Sequence, residues 1–589
     1  MNETFDTKKR AELADMASHV PTMAARHRVL DVRVSARGSG FLYALKHTRN
    51  HTILEKTALM PHVLICDTIA EDGLRILEKA ATVTVKTGLK EAELIQEIPN
   101  YDAVMVRSAT KITRPVIEAA SKLQIIGRAG VGVDNIDVEA ATERGVIVVN
   151  SPAGNTVAVA ELTLGMMLSL VRRLSPADAS VKAGLWKRSS FMGSEIYGKT
   201  LGVIGTGKIG TEVIKRAQSF GMTVLGFDPF LTSTRAAQLD IEATTIEEIL
   251  KRADFITIHT PLTKETKHLI NAESLATMKP TAIIVNCARG GIIDESALYD
   301  ALKAGKLGGA ALDVFESEPP TTSPLRELDN VILTPHLGAS TEEAQVEVAL
   351  DVARQIVDVL GGRPPQSAVN LPPLPPETRE FIGPFLPLME KLGRMQAQLA
   401  EGRIESVSLE YCGDLHSYDT GSLTRVFLKG LLQPSFDKVV SYVNAPILAE
   451  QRGVSVRETK CDKSGDYANL VISRVVRNDN GHERTRQIDG TIFNEHVPHI
   501  VGIQGLRVDV VPEGTLLVVP NTDKPGMIGR VGTLLGNANI NISGMQVGRT
   551  EVGQRAVMVI SLEEPVEDRV LEELEKQDDL FGARQVDLR

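Results

Sequence analysis

The chain has 589 residues, a formal net charge of −10 and a pI near 5.8, an acidic balance that argues against a general nucleic-acid binder or a membrane-surface protein. No run of eighteen apolar residues occurs, the nearest (Val157 to Val171) being interrupted by Glu161, so no membrane span is expected. Four cysteines, Cys66, Cys287, Cys412 and Cys461, stand far apart without CxxC or histidine spacing, which fits a reducing, cytoplasmic setting and predicts no metal site.

At roughly 150 residues per domain the length implies about four domains. Residues 1–59 mix basic clusters (Lys8-Lys9-Arg10, Arg26-His27-Arg28) with acids and contain no apolar core segment. They are expected to be a disordered extension, and Glu3, Asp6, Glu12 and Asp15 count against a transit peptide. At Met60 the text changes to MPHVLICD, which reads as a first strand. Strands are expected near 61–66, 82–86, 103–106, 124–127 and 146–149, with helices near 71–80, 114–121 and 137–143. Short apolar strands separated by helices predict a parallel sheet. A helix over about 156–172 follows, apolar almost all round. It needs cover on every side, from a second copy of the chain or from two domains of one chain.

The segment KTLGVIGTGKIGTEVIKRAQSFGMTVLGFDP, Lys199–Pro229, is strand, Gly205-x-Gly207-x-x-Gly210, helix, strand and Asp228. Gly205 permits the tight turn, Gly207 lets backbone approach a pyrophosphate, and Gly210 lets the helix pack on the strand. The phosphates would rest on free N–H groups at the helix start. Asp228, placed to accept from a ribose 2′-hydroxyl and to repel a 2′-phosphate, selects NAD over NADP. Further strands near 254–258, 281–286, 309–313 and 331–334 complete a six-stranded doubly wound sheet.

A helix at about 341–360 precedes a proline-rich run, Arg363 to Pro376, that reads as a linker. Residues 380–510 look α+β, with helices near 385–400 and 435–451, strands near 404–410 and 468–476, and no chemical motif. The last 75 residues or so spell βαββαβ, a ferredoxin-like split pattern: Thr515–Pro520, Met527–Leu535, Ile540–Gly548, Arg555–Leu562, Glu567–Gln577, Ala583–Leu588.

Three charged residues fall just beyond strands of the nucleotide unit: Arg289 after TAIIVNCA, Glu318 after GGAALDVF, and His336 after NVILTP. In an open parallel sheet, ligands bind beyond the carboxyl ends of the strands, so all three point at the cofactor crevice. Hydride removal from a secondary alcohol requires the hydroxyl proton to leave. His336 suits that role, with Glu318 fixing its tautomer and Arg289 gripping a carboxylate. A 2-hydroxy acid is the substrate class these roles imply. Arg107 and Arg128 (which leads into Gly130-Val131-Gly132) end strands of the earlier sheet and suit an anionic substrate.

VRSATKIT, GRAGVGVDNIDV, VNCARGGIIDE, GGAALDVFESEPP and TPHLGAST resemble the signatures of the D-isomer-specific 2-hydroxy-acid dehydrogenases, and the likeness covers about residues 60–589. It implies Arg289, Glu318 and His336 as the catalytic set, and Arg107, Arg128, Val131, Gly132 and Asn155 as substrate-binding. For NAD it implies Lys208, Ile209, Asp228, Thr260, Asp313, Gly338 and Ala339, with Cys287 and Ala288 of the VNCAR turn beside them. The implied substrate is 3-phosphoglycerate, oxidised to 3-phosphohydroxypyruvate in the first step of a phosphorylated route to serine. The implied fold is α/β, with two Rossmann-like doubly wound lobes. Residues 60–152 plus 337–365 form the substrate lobe and 153–336 the NAD lobe. A linker (366–379), an α+β intervening domain (380–511) and a C-terminal ferredoxin-like ACT domain (512–589) follow. The tail resembles modules that bind amino acids, which implies L-serine as an effector held by Asn521, Asp523 and Asn541 between paired copies. The helix near 156–172 becomes the contact of a homodimer, or of a homotetramer built from it. Rival readings are a glyoxylate or hydroxypyruvate reductase and an NAD-sensing scaffold.

Overall fold

In the computed structural model the described residues are 60–399, 402–436, 439–479, 481–494, 496–551 and 554–589. The expected 1–59 extension lies outside them. The first sheet has five parallel strands in the order Thr82–Val85, His62–Ile65, Ala103–Val106, Ile125–Arg128, Ile147–Asn150. Its central strands are apolar runs such as AVMV, buried throughout, because helices cover both faces, while the edge strand Thr82–Val85, TVTV, stays partly exposed. One face carries a core of Leu94, Val116, Ile117 and Ala140. The other is closed by Leu77 and by Val348, Val352 and Ile356 of the late helix Glu342–Leu360. The short helix Glu91–Glu97 was not expected: EAELIQE buries only Leu94, too little for an apolar period to show.

The second sheet holds seven parallel strands, one more than expected. The order is Val331–Leu333, Gly309–Leu312, Ile283–Asn286, Phe255–Ile258, Thr200–Ile204, Thr223–Phe227, Glu242–Ala243. The extra member is a two-residue edge strand, too short to leave a pattern. Strand order reverses direction at Thr200–Ile204, where a doubly wound sheet opens its ligand crevice. The helix Thr156–Val171 buries Val159, Ala160, Leu164, Met166, Met167 and Val171 against this lobe and leaves Val157 about half exposed. Cover from its own chain therefore accounts for most of its apolar surface.

Beyond the lobes, the proline-rich run is pinned rather than loose. Ala368 bridges Val149, Val369 donates its N–H to Val148 O, and Asn370 both accepts from Val148 N and donates to Val146 O. Its last proline starts the helix Pro376–Ile382, where a missing N–H costs nothing. The third sheet has six strands, Ser455–Cys461, Arg403–Gly413, Asn469–Asp479, His482–Phe493, Val497–Ile503, Leu506–Val510; the first pair is parallel and the rest antiparallel. Gly421–Leu432 is a helix that was not expected, and of the helix expected over 435–451 only Ala445–Gln451 is helical. The first carries Gly430 at its crossing with Phe385–Leu399, where an added Cβ would lie 2.2 Å from Glu390 O, as Gly393 would from Phe427 O at 2.1 Å. Backbone contact there overrides the low helix propensity of glycine. The last sheet, Ile542–Arg549, Arg555–Leu562, Thr515–Thr522, Arg584–Asp587, is antiparallel with helices Met527–Asn537 and Asp568–Glu575. One face, through Leu516, Val518, Val557 and Val559, joins the core of the third sheet. No helix among the described residues is long and apolar enough to cross a membrane.

Candidate active site

The chain crosses between the two lobes twice, after Asn150 into the helix Thr156–Val171 and after Leu333 into Glu342–Leu360. The strand ends of both sheets meet at the cleft between these crossings. On the second lobe, His336 sits with φ of +54°, outside the ordinary range for a residue with a Cβ. Its Nδ1 lies 2.9 Å from Glu318 Oε2, while Glu318 Oε1 accepts the Phe315 N–H at 3.1 Å. Burial pushes the Glu318 carboxyl up. The His336 bond and charge, the Phe315 N–H and the Arg289 charge outweigh it, so the carboxyl titrates below its usual value. The Glu318 bond raises the His336 imidazole above its usual value against burial and Arg289. An ionised carboxylate accepts only, so Nδ1 carries the proton and the neutral ring offers the lone pair of Nε2.

Arg289 reaches out of the second lobe to the first. Its Nε lies 3.1 Å from Asp134 Oδ2, and Nη1 donates to Ala288 O at 2.7 Å. Its guanidinium lies directly over Gly132: a Cβ built there would stand 1.8 Å from Arg289 Nη2. Asn150 Nδ2 donates to Val131 O at 2.5 Å and so fixes this loop. Arg128 is lowered to about 10, by burial first and then by the positive charges of Arg289 and Arg107. Its Nε is buried without a partner. The Arg107 N–H is anchored on Asp67 Oδ2 at 2.5 Å, and Asn135 Nδ2 holds the Arg107 carbonyl at 2.7 Å. Three guanidinium groups brought within electrostatic reach, one with an unsatisfied donor, are a receptor for an anion. The Asn155 side chain, at the start of the crossing helix, likewise has a buried Oδ1 without a partner.

The glycine turn meets its geometric demands. Gly205 has φ of +95°, and a Cβ there would lie 2.6 Å from His259 O. At Gly210 a Cβ would lie 2.0 Å from Gly205 O, so helix and strand touch backbone to backbone. Nothing lies within 4 Å of a Cβ at Gly207, which begins the helix Lys208–Ser219 with no side-chain cap. That free helix start, with Lys208 and Ile209 in its first turn, is open to a pyrophosphate. Asp228 accepts the N–H of Thr206 (3.0 Å) and of Phe230 (2.9 Å), one on each oxygen. Each oxygen keeps a lone pair for a ribose hydroxyl. Thr260 Oγ1 is buried beside this turn without a partner. These residues fit a dinucleotide.

Two expected cofactor residues turn elsewhere. The Cys287 sulfur lies 3.6 Å from Met166 Sδ in the core, and burial pushes its thiol up to about 12. Asp313 braces the return crossing, accepting from Thr334 Oγ1 (2.6 Å), Leu337 N (2.7 Å) and Gly338 N (2.9 Å). Ala339 O takes Gln345 Nε2. Burial holds the Asp313 carboxyl above its usual value despite these donors. Sequence reasoning missed Asp134, Asn135, Asn150 and His259. His259 directly follows the strand Phe255–Ile258, and burial lowers it to about 4, so it stays neutral. The strand-end rule that singled out Arg289 would have found it.

In the C-terminal sheet, Asn521 is buried with Oδ1 unpartnered, and Asp523 pairs with Arg549 at 3.1 Å. Asn541 does not join them. It precedes Ile542, which pairs with Leu562 and through it with Thr515, at the far end of the sheet. One ligand touching all three needs a second copy.

Comparison with known proteins agrees with this architecture. Residues 164–338 match the D-isomer specific 2-hydroxyacid dehydrogenase, NAD binding domain, which defines the class and makes NAD the cofactor. Residues 381–504 match the D-3-phosphoglycerate dehydrogenase intervening domain, and 515–579 the ACT domain. D-3-phosphoglycerate dehydrogenase of Synechocystis sp. is 49% identical over 89% of this chain and 94% of its own. That of Methanocaldococcus jannaschii is 48% identical over 88% and 98%. Among solved structures, a Polaromonas sp. protein named for the D-isomer specific 2-hydroxyacid dehydrogenases aligns with a TM-score of 0.50 at 27% identity, over 53% of this chain and 99% of its own. The chain belongs to the D-3-phosphoglycerate dehydrogenase family.

Proposed function

We propose that this chain oxidises D-3-phosphoglycerate to 3-phosphohydroxypyruvate, the entry step of a phosphorylated route to serine. The observation that carries the reading is the His336–Glu318 pair at 2.9 Å in the same cleft as Arg289, which faces Gly132 and the unsatisfied Arg128. NAD, when bound, would supply a hydride acceptor for the carbinol carbon; Gly205, Gly207, Lys208, Ile209, Gly210, Asp228 and Thr260 would hold it, with the backbone of Cys287 and Ala288 and the Gly338–Ala339 turn braced by Asp313 as its walls. His336 Nε2 takes the hydroxyl proton, and Glu318 stabilises the imidazolium through Nδ1. Arg289 binds the carboxylate and polarises the forming carbonyl. Arg128 and Arg107, with the Val131–Gly132 backbone and Asn155, hold the remaining anionic charge.

Residues 60–152 with 337–365 serve as the substrate lobe and 153–336 as the NAD lobe; 366–379, 380–511 and 512–589 are linker, intervening and ACT domains. Leu174, Val181, Leu185, Trp186, Met192 and Tyr197, all exposed on one stretch, support a homodimer through this arm, with a tetramer as the higher assembly. The ACT module binds L-serine between copies, through Asn521 and Asp523 of one and Asn541 of the other. The enzyme works in the cytoplasm. NADH formation from D-3-phosphoglycerate at alkaline pH, with product removed, tests the reaction. Turnover lost in His336→Ala supports it, and wild-type protein that binds NAD but oxidises no phosphoglycerate refutes it. Millimolar L-serine that changes neither rate nor thermal stability removes the effector assignment.

A further inference from the structure

The four scattered cysteines do not stay scattered. Parallel pairing of Arg403–Gly413 with Ser455–Cys461 makes Cys412 and Cys461 direct register partners. The two-residue period of a strand puts Glu410 on the same face as Cys412. One ligand atom from each of the three lies within 4.8 Å of the other two, and among the described residues no other cluster of this kind forms. We propose that Glu410, Cys412 and Cys461 bind a thiophilic divalent cation of the zinc and cadmium class, clipping an edge strand to its neighbour.

The geometry is close to what such an ion needs. A tetrahedral ion with sulfur at about 2.3 Å and oxygen at about 2.1 Å holds its ligand atoms roughly 3.5–4 Å apart. The three ligand atoms already lie within 4.8 Å of one another, so the remaining difference is small. Cys461 and Glu410 are only half-buried, which gives the ion a path in and leaves a fourth position for water. Glu410 is already oriented: Oε2 takes Arg474 Nη1 at 3.0 Å, Arg474 Nε donates to Gln487 Oε1 at 2.9 Å, and Gln487 Nε2 donates to Asp489. Oε1 stays free for a metal, and the chain of bonds behind it is the outer support that ligating carboxylates usually have. The local charge also suits a cation. Two thiolates and the carboxylates of Glu410 and Asp489 against the single Arg474 leave a net negative site that favours a divalent ion.

The thiols fit the same picture. Cys412 is pushed up to about 12, by burial first and then by the nearby Glu410 and Cys461. The negative neighbours that oppose a lone thiolate are the ones that attract a cation, and a bound ion reverses their effect. Cys461 Sγ accepts the Lys463 N–H at 3.4 Å and faces Lys463 O at 3.3 Å, contacts that hold the sulfur in place at the end of its strand. Thiolates rather than thiols ligate such ions, so binding releases the thiol protons. The strand Ser455–Cys461 is almost wholly exposed and lies at the sheet's edge. An ion at its last residue would hold that edge against fraying.

The test uses the full-length chain, reduced and stripped with a chelator, titrated with cadmium while the ultraviolet thiolate-to-cadmium band is followed. One cadmium per chain is expected, with the band lost in Cys412→Ser and in Cys461→Ser and affinity lowered about tenfold or more in Glu410→Gln. Zinc should raise the unfolding temperature, and chelator should reverse the rise, while NADH turnover stays at the wild-type rate in all three variants and reports their folding. No band in the wild-type chain, or a band of equal strength in the Cys412→Ser/Cys461→Ser double variant, overturns the proposal. So does a Cys412–Cys461 disulfide formed in air by a chain whose reduced form takes up no cadmium.

Discussion

Replacing Gly132 with alanine puts a methyl group 1.8 Å from Arg289 Nη2 and 2.7 Å from both Arg289 Cζ and Asp134 Oδ2. Ordinary contact needs roughly 3.5 Å, so the guanidinium must retreat by about 1.5 Å. Arg289 is a long side chain at the rim of a cleft, so the retreat costs little stability, and the unfolding temperature should stay within a degree or two of wild type. Its functional cost is different in kind. A misplacement of about 1 Å in a group that orients the reacting carbon is worth on the order of a hundredfold in rate, or about 2.7 kcal/mol at 1.36 kcal/mol per decade. Steady-state NADH formation should show kcat/KM for phosphoglycerate falling by that factor, while NAD affinity, measured by fluorescence or calorimetry, is unchanged. A Gly132→Ala enzyme within threefold of wild-type kcat/KM would refute the placement of Arg289 over this backbone in the working state.

Glu318→Gln should lower turnover by about 10²–10⁴. The pH profile carries the sign: the base works when neutral, and the Glu318 bond raises its titration, so oxidation should climb with pH through a point above the ordinary histidine value. In the variant that limb should move to lower pH; an unmoved limb would exclude the pair. Gly207→Ala and Gly210→Ala should separate. The first has open space before it and should keep its stability within about 0.5 kcal/mol while losing NAD affinity. The second drives a Cβ to 2.0 Å from Gly205 O and should cost about 1–3 kcal/mol in thermal or urea unfolding. Arg128→Gln removes a buried cation repelled by Arg289 and Arg107; the chain should unfold no earlier than wild type, while KM for phosphoglycerate rises about 10–100-fold, the worth of hydrogen bonds to a charged group. Asp228→Ser should raise KM for NAD about tenfold or more on the same scale and admit NADP, with activity on each cofactor as the readout.

The sequence by itself determined what depends on local order. Two series of apolar strands with helices between them have one compact solution, parallel sheets covered on both faces. Gly205-x-Gly207-x-x-Gly210 followed by Asp228 requires a turn, a helix start and an acid at fixed separations along one short segment. Arg289 and His336 could be singled out because each stands just past a strand end, and Glu318 because it lies in the loop that follows the next strand, positions that in a parallel sheet face the crevice. Tertiary structure decided everything that depends on which distant segments meet. The helix carrying Gly393 was expected near 385–400, but its partner Gly421–Leu432 was hidden because Gly421 and Gly430 weaken the helical signal, and the advantage of Gly430, backbone contact, exists only once both helices are present. Cys287 was expected at the cofactor and turned into the core, since one peptide unit decides which way a strand-end side chain points. Asp134, from the other lobe, holds Arg289 through a contact 155 positions away in the chain, a distance no periodicity records. Strand register brought Cys412 beside Cys461 and carried Asn541 away from Asn521 and Asp523. Register is fixed by burial across whole sheets, a collective quantity that no single stretch of sequence contains.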